Sequence, residues 1–294
     1  MSQSFAVETQ HRGWSFVLLL TPAVALLAVF LILPMMTVFR ASFYPGNSAL
    51  NAAGFSLNQY YKFFADSFYV SILVETVSYA IITSLGCLLL GFPVGYSLAR
   101  LPPAQRRMRM ILIIVPLTLS LVVVVFGWLV LLGRQGLVNN ILIGLGFIES
   151  PKQLLFNRFA VIVVLIQQFL PFMILSIMNV VLQIDPVLEQ ASTSLRARRL
   201  RTFWKIVVPL AAPGIISGFT LVFVMSVSAF VTPRLIGGPQ TQMIGGLVYE
   251  EVLINLNWPF GAAMSFILLA VGLGILAAVS LLIVRPLARG LHVN

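Results

Sequence analysis

Six apolar runs divide this chain: residues 14–39, 69–98, 110–132, 159–182, 214–232 and 259–284. Each is close to the roughly 20 residues that a helix needs to cross a bilayer. In hydrocarbon every backbone N–H and C=O must be paired within the segment, so runs of this kind fold as helices. The predicted fold class is an all-α membrane protein with six transmembrane helices, in a single domain that fills residues 1–294. Charged residues make up only 9% of the chain, against about 25% in soluble domains, which is too little to cover an aqueous surface. The first run is longer than the 7–15-residue apolar core of a cleaved signal peptide and reads as a retained helix.

Pro22, Pro34 and Pro171 lie within runs, as do Gly86, Gly91, Pro93 and Gly95. Such residues kink membrane helices or let them approach closely. The third run ends in LGRQGLVNN, where Gly133 and Gly136 break the helix, and residues 141–158 read as an interfacial or re-entrant helix with a loop.

The net charge is +10, but the basic residues lie between the runs, where they set membrane orientation rather than bind nucleic acid. Twelve of the 18 Lys and Arg fall on one side: Arg12, the cluster Arg100, Arg106, Arg107 and Arg109, five within 185–213, then Arg285 and Arg289. Six fall on the other. This bias predicts that both termini and the 185–213 loop are cytoplasmic.

The chain has no GxxxxGK[ST] phosphate loop, no HExxH pair and no Cys or His cluster, so no ATP hydrolysis, metal or cofactor is expected within it. Cys87 stands alone inside a run, and His11 and His292 lie in the tails. Glu75 is the one carboxylate clearly within a run. It either reaches the outer interface or lines a pathway. Energy for transport is therefore expected from a partner.

The longest polar interruption is residues 185–213, DPVLEQASTSLRARRLRTFWKIVVPLAAP, with Arg196, Arg198, Arg199, Arg201 and Lys205. Asp185 and Pro186 carry the chemistry of a helix start, and Glu189 complements that helix's dipole. A helix is predicted over 188–200, and a second short one over TFWKIVV, exposing Phe203, Trp204 and Ile206 before Pro209. The segment reads either as a docking element or as a basic loop against anionic lipid headgroups.

The order Glu189-Gln190-Ala191, Leu195, Ala197, Phe203, Ile206, Pro209 and Pro213-Gly214 resembles the EAA loop of ABC-importer permeases. The match departs at Gln190 and at Arg196, where the family has a glycine that turns the chain between two short helices. LGRQGLVN, QFLPFMILSI and SAFVTPRLIGGPQTQMIGGLVYEE, with NWP beyond, are similar to spermidine/putrescine permeases of the PotB type. The resemblance implies a type I importer permease (MetI-like) fold in a bacterial inner membrane. It also implies a second, C-type permease, an ATPase homodimer that binds ATP and Mg, and a periplasmic solute-binding protein. The EAA-like residues would then seat in the ATPase, and alternating access would import polyamines or related small solutes.

For a polycation, carboxylates and aromatic faces are the expected pathway groups. Candidates are Glu75, Trp128, Tyr249, Glu250, Glu251 and Trp258, although the aromatics also suit an interfacial belt. Arg134 and Arg234 fit a polycation poorly. The rivals are a stand-alone secondary carrier or channel built on Glu75, a scaffold with no solute, and an importer of an amino acid, opine or phosphonate.

Overall fold

The structure, a computed structural model, describes residues 5–46, 54–239 and 241–281. Among these the regular elements are all helices: α1 Phe5–Ala41, α2 Asn58–Ala65, α3 Ser67–Ala99, α4 Pro103–Thr118, α5 Leu121–Leu132, α6 Leu137–Gly144, α7 Arg158–Val181, α8 Pro186–Ser194, α9 Arg199–Thr202, α10 Val208–Val227, α11 Ile244–Tyr249 and α12 Trp258–Val279. Six stretches among the described residues are long and apolar enough to cross a membrane: 20–41, 67–99, 121–144, 158–181, 199–227 and 258–279. The side chain of Arg12, residues 282–284 of the expected sixth run, and Arg285 and Arg289 lie outside the described residues.

The bundle is centred on α3, α7 and α10, which pack along one another. Lipid tails are as apolar as leucine, so helices associate here through close packing rather than through exclusion of water. Glycine makes that approach possible. A Cβ at Gly95 would lie 2.9 Å from the Ile174 carbonyl oxygen, and one at Gly214 would lie 2.9 Å from Val180 Cβ. Val161, Val164, Leu165, Met173, Ile177 and Val181 of α7 are buried between these neighbours. A smaller cluster of Phe63, Ile72, Leu73, Ile244, Phe260 and Met264 gathers α2, α11 and α12 onto the N-terminal half of α3. There the buried Thr76 hydroxyl accepts from the Ile244 N–H at 2.9 Å, seating the start of α11.

Two departures from the sequence expectation concern the membrane-crossing helices. The expected third run, 110–132, is divided into α4 and α5 at Leu119 and Ser120, both extended (ψ 146° and 133°). Pro116 lies just before the break, and a proline within a helix removes one hydrogen bond and crowds the preceding turn. The third membrane-length stretch is therefore α5 continued through α6. The join is tight: a Cβ at Gly136 would lie 2.4 Å from the Leu131 carbonyl oxygen. Buried Asn139 closes the segment after it, donating to the Gly133 and Lys152 carbonyls at 3.1 and 3.0 Å and accepting from the Lys152 N–H at 3.0 Å. The second departure is at Pro209, which does not end a helix. A π-helical turn over Phe203–Val207 joins α9 to α10, with Val208 N–H bonded to the Phe203 carbonyl. Pro209 then lies within a helix that runs on from Arg199 to Val227, two residues past the π-helical turn.

Candidate functional site

The 185–213 loop begins where α7 ends. The Asp185 carboxylate accepts from the Val187 N–H at 2.9 Å, and Pro186 opens α8. Glu189 falls in the first turn, near the positive end of the helix dipole. Toward the other end, the Thr193 and Ser194 hydroxyls donate back to the carbonyls of Glu189 and Gln190. Such bonds compete with helix continuation, and α8 stops at Ser194 rather than running to Leu200.

The stop has a defined geometry. Ala197 N–H bonds to the Ser192 carbonyl at 3.2 Å, and Arg196 N–H to the Thr193 carbonyl at 2.9 Å. This is the Schellman pattern, which satisfies the last orphan carbonyls by placing the intervening residue in the left-handed region. Arg196 takes that place with φ 57°. The turn ascribed to the family's glycine is thus made here by an arginine. Beyond it, a buried contact of 2.8 Å between the Ser192 and Thr202 hydroxyls ties α8 to α9.

Gln190, Ala191 and Arg196 are exposed, and Ala197, Ile206 and Pro209 are half-buried. Leu195 is 84% exposed, the most exposed large apolar side chain of the loop, and Val187, Leu188, Leu200 and Trp204 are exposed with it. Phe203 differs from expectation. It turns inward, its ring edge-to-face with Phe92 at 5.2 Å and Tyr96 at 6.1 Å. Ile206 is also partly covered, leaving Trp204 as the outward aromatic.

Glu189 does not point freely outward. One carboxylate oxygen accepts from Arg100 Nη2 at 2.5 Å and the other from the Tyr96 hydroxyl at 2.6 Å. The group borders a concavity of about 490 Å³ lined also by Thr193, Arg199, Leu200 and Phe203.

The other candidates are dispersed. Glu75, near the N-terminal end of α3, is ion-paired with Arg158, the first residue of α7. This is the end of both helices opposite the 185–213 loop. Trp128 donates to Gln167 at 3.0 Å. Tyr249 stacks on Phe230 at 5.6 Å, with the Arg234 guanidinium 5.0 Å from its ring centre. Glu250 and Arg234 line one pocket of about 270 Å³, with Thr241 and Gln242. Glu251 accepts from Asn255 and Asn257 at 3.1 and 3.0 Å, closing the turn before α12. Trp258 is half-exposed at the start of α12.

Two further residues were not singled out from the sequence. Gln167 and Gln168 sit midway along α7 and border a space of about 190 Å³ beside the break between α4 and α5. Gln168 also accepts from the Thr232 hydroxyl at 2.9 Å. Adjacent amides in the middle of an apolar run are the signal that marks them, since polar groups at that depth need partners.

The model of the family of binding-protein-dependent transport system inner membrane components matches residues 91–291. The chain belongs to that family. It is a membrane component of an ABC importer, and ATP hydrolysis resides in a separate ATPase. This importer permease is a multi-pass inner-membrane protein. It is 33% identical over 243 residues to the spermidine/putrescine transport system permease protein PotB of Escherichia coli (strain K12), covering 82% of this chain and 88% of that protein. Solved structures share its fold, among them the following two. A chain of a bacterial ABC transporter involved in import of the acidic polysaccharide alginate matches at TM-score 0.71 and 19% identity, over 93% of this chain and 96% of that one. A chain of the MetNI methionine ABC transporter matches at TM-score 0.56 and 18% identity, over 74% of this chain and 95% of that one. The fold is that of the MetI-like type I importer permeases. A stand-alone carrier built on Glu75 is set aside by this membership.

Proposed function

We propose that this importer permease is the B-type membrane subunit of a polyamine importer and carries spermidine or putrescine. The similarity to PotB along four-fifths of the chain carries this reading. A C-type permease completes the pathway, an ATPase homodimer supplies energy, and a periplasmic binding protein delivers the solute. Both termini and the 185–213 loop face the cytoplasm, in keeping with the bias of Lys and Arg to that side.

The ATPase docks on α8, the Arg196 turn and α9. Exposed Leu195, Leu188, Leu200 and Trp204 support this, because apolar side chains clustered within a basic loop suit a protein partner better than headgroups alone. The helix is continuous from Arg199 to Val227, so a force applied at α9 is delivered straight into the membrane. ATP binding closes the ATPase, the loop follows, and the bundle changes access as a rigid body.

One observation favours a second reading. Arg234 shares its pocket with Glu250, and opposite charges in one site suit a zwitterion such as an amino acid better than a polycation. Uptake of labelled spermidine, putrescine and γ-aminobutyrate in a strain lacking this chain, with and without its restoration, separates the two. Restoration of γ-aminobutyrate uptake alone would refute the polyamine assignment. For the docking role, Leu195→Asp places a charge on the most exposed apolar side chain of the loop, and solute-stimulated ATP hydrolysis should fall. Unaltered stimulation would sink that assignment.

A further inference from the structure

Arg100 is joined to three helices at once. It is the residue that caps α3, and its Nη1 donates at 3.0 Å to the Ile184 carbonyl, in the turn that follows α7. Its Nη2 donates at 2.5 Å to Glu189 in the first turn of α8. Tyr96, one turn earlier on α3, donates to the second Glu189 oxygen at 2.6 Å, and the guanidinium carbon lies 5.8 Å from the Tyr96 ring centre. The charges match their surroundings. A cation sits where α3 and α7 present their carbonyl ends, and a carboxylate sits at the N-terminal end of α8. A planar guanidinium fork fixes direction as well as distance, which a lysine ammonium does not.

Among the described residues, the only side-chain hydrogen bonds from α8 to the membrane-crossing helices α3 and α7 are these two of Glu189. The remaining side-chain tie of α8 to another helix, from Ser192 to Thr202, leads to α9 and so to α10. We infer that Arg100 and Tyr96 are positioning residues that grip Glu189 and pass the movement of α8 into α3. The inference rests on the docking role proposed above. Glu189 then acts inside this chain, while Leu195 and Trp204 face the partner. Because α3 packs closely on α7 through Gly95, movement of α3 reaches the centre of the bundle. With the grip broken, α8 still follows the ATPase and pulls on α10 and, through the chain at 182–185, on the end of α7, but no longer on α3, and ATP is hydrolysed with little solute moved.

The test uses the complete transporter in proteoliposomes with loaded binding protein, reading solute imported per ATP hydrolysed. Arg100→Glu should co-purify with the ATPase and hydrolyse ATP, yet import about ten-fold less per ATP, the scale of losing one charge-assisted pair. The exchange Arg100→Glu with Glu189→Arg should recover at least about three-fold over the single variant, since it restores an opposed pair. A merely structural cap would not show such rescue in the ratio. Where Arg100→Glu does not assemble, Tyr96→Phe, which deletes one hydroxyl, should lower the ratio about two- to five-fold. A wild-type ratio in an assembled Arg100→Glu or in Tyr96→Phe, or a double exchange no better than the single, overturns the inference. A wild-type transporter with no ATP-driven uptake instead overturns the importer assignment on which it rests.

Discussion

Replacing Arg196 with glycine should tighten the turn between α8 and α9. Arg196 has φ 57°, a conformation that costs an L-residue about 1–2 kcal/mol through the approach of Cβ to the following carbonyl. Glycine escapes that cost but gives up about 0.4–1 kcal/mol because its unfolded chain is freer. The balance is a gain of about 0.5–1 kcal/mol for the closed turn, or about a two- to five-fold fall in local opening. The reporters are the amides of residues 196 and 197, bonded to the carbonyls of Thr193 and Ser192 at 2.9 and 3.2 Å. Native-state hydrogen exchange should slow at both by that factor. Arg196→Ala is the control, since it removes the side chain and its charge but keeps the Cβ, and should leave exchange nearly unchanged. Equal slowing in the alanine and glycine variants would refute the reasoning, because the effect would then belong to the charge. Faster exchange in the glycine variant would mean that the left-handed turn is not the closed state.

Other perturbations address the bundle. Gly214→Leu should lower the thermal midpoint of the solubilised protein by more than Gly214→Ala, as even a bare Cβ lies 2.9 Å from Val180 Cβ and 3.0 Å from the Ser176 carbonyl; overpacking of this kind costs about 1–3 kcal/mol, and equal midpoints would refute the close approach of α10 to α7. Cys87 is 0% exposed, so a water-soluble maleimide should leave it unlabelled in the folded, solubilised protein and label it fully in dodecyl sulfate. Glu75→Gln breaks a partly exposed ion pair with Arg158, which should cost at most about 1 kcal/mol and leave ATP-driven uptake within about two-fold; a larger loss would make Glu75 a pathway group rather than a clamp between α3 and α7.

What could be read in advance followed from how local the chemistry is. The start of α8 was legible because Asp185, Pro186 and Glu189 act within one turn of one another, and the structure uses the first two as cap and opening residue. The apolar runs were legible because hydrocarbon demands backbone pairing within each segment. The division of the third run at Leu119 was not, because Pro116 permits either a kinked helix or a broken one and the residues around it are apolar on both sides. Pro209 misled for the opposite reason: a π-helical turn absorbs its missing N–H and the helix continues.

The place of Arg100 shows where residue-by-residue reading stops. In the charge bias it counts the same as Arg107 or Arg109, yet those two are exposed and Arg100 is largely covered. Its carboxylate partner lies 89 residues away, so no spacing in the sequence links them. Solvent drives the difference. A long basic side chain near a membrane surface gains most from water or headgroups, so covering it requires acceptors that repay the lost hydration. The Ile184 carbonyl and the Glu189 carboxylate accept from its Nη1 and Nη2, while its Nε is buried without an acceptor. A cation withdrawn from solvent and held by groups on separate elements constrains those elements together, whereas its exposed neighbours constrain nothing but orientation. The signal that distinguishes them is three-dimensional, and it identifies Arg100 as the basic residue of that cluster whose loss should be felt inside the membrane.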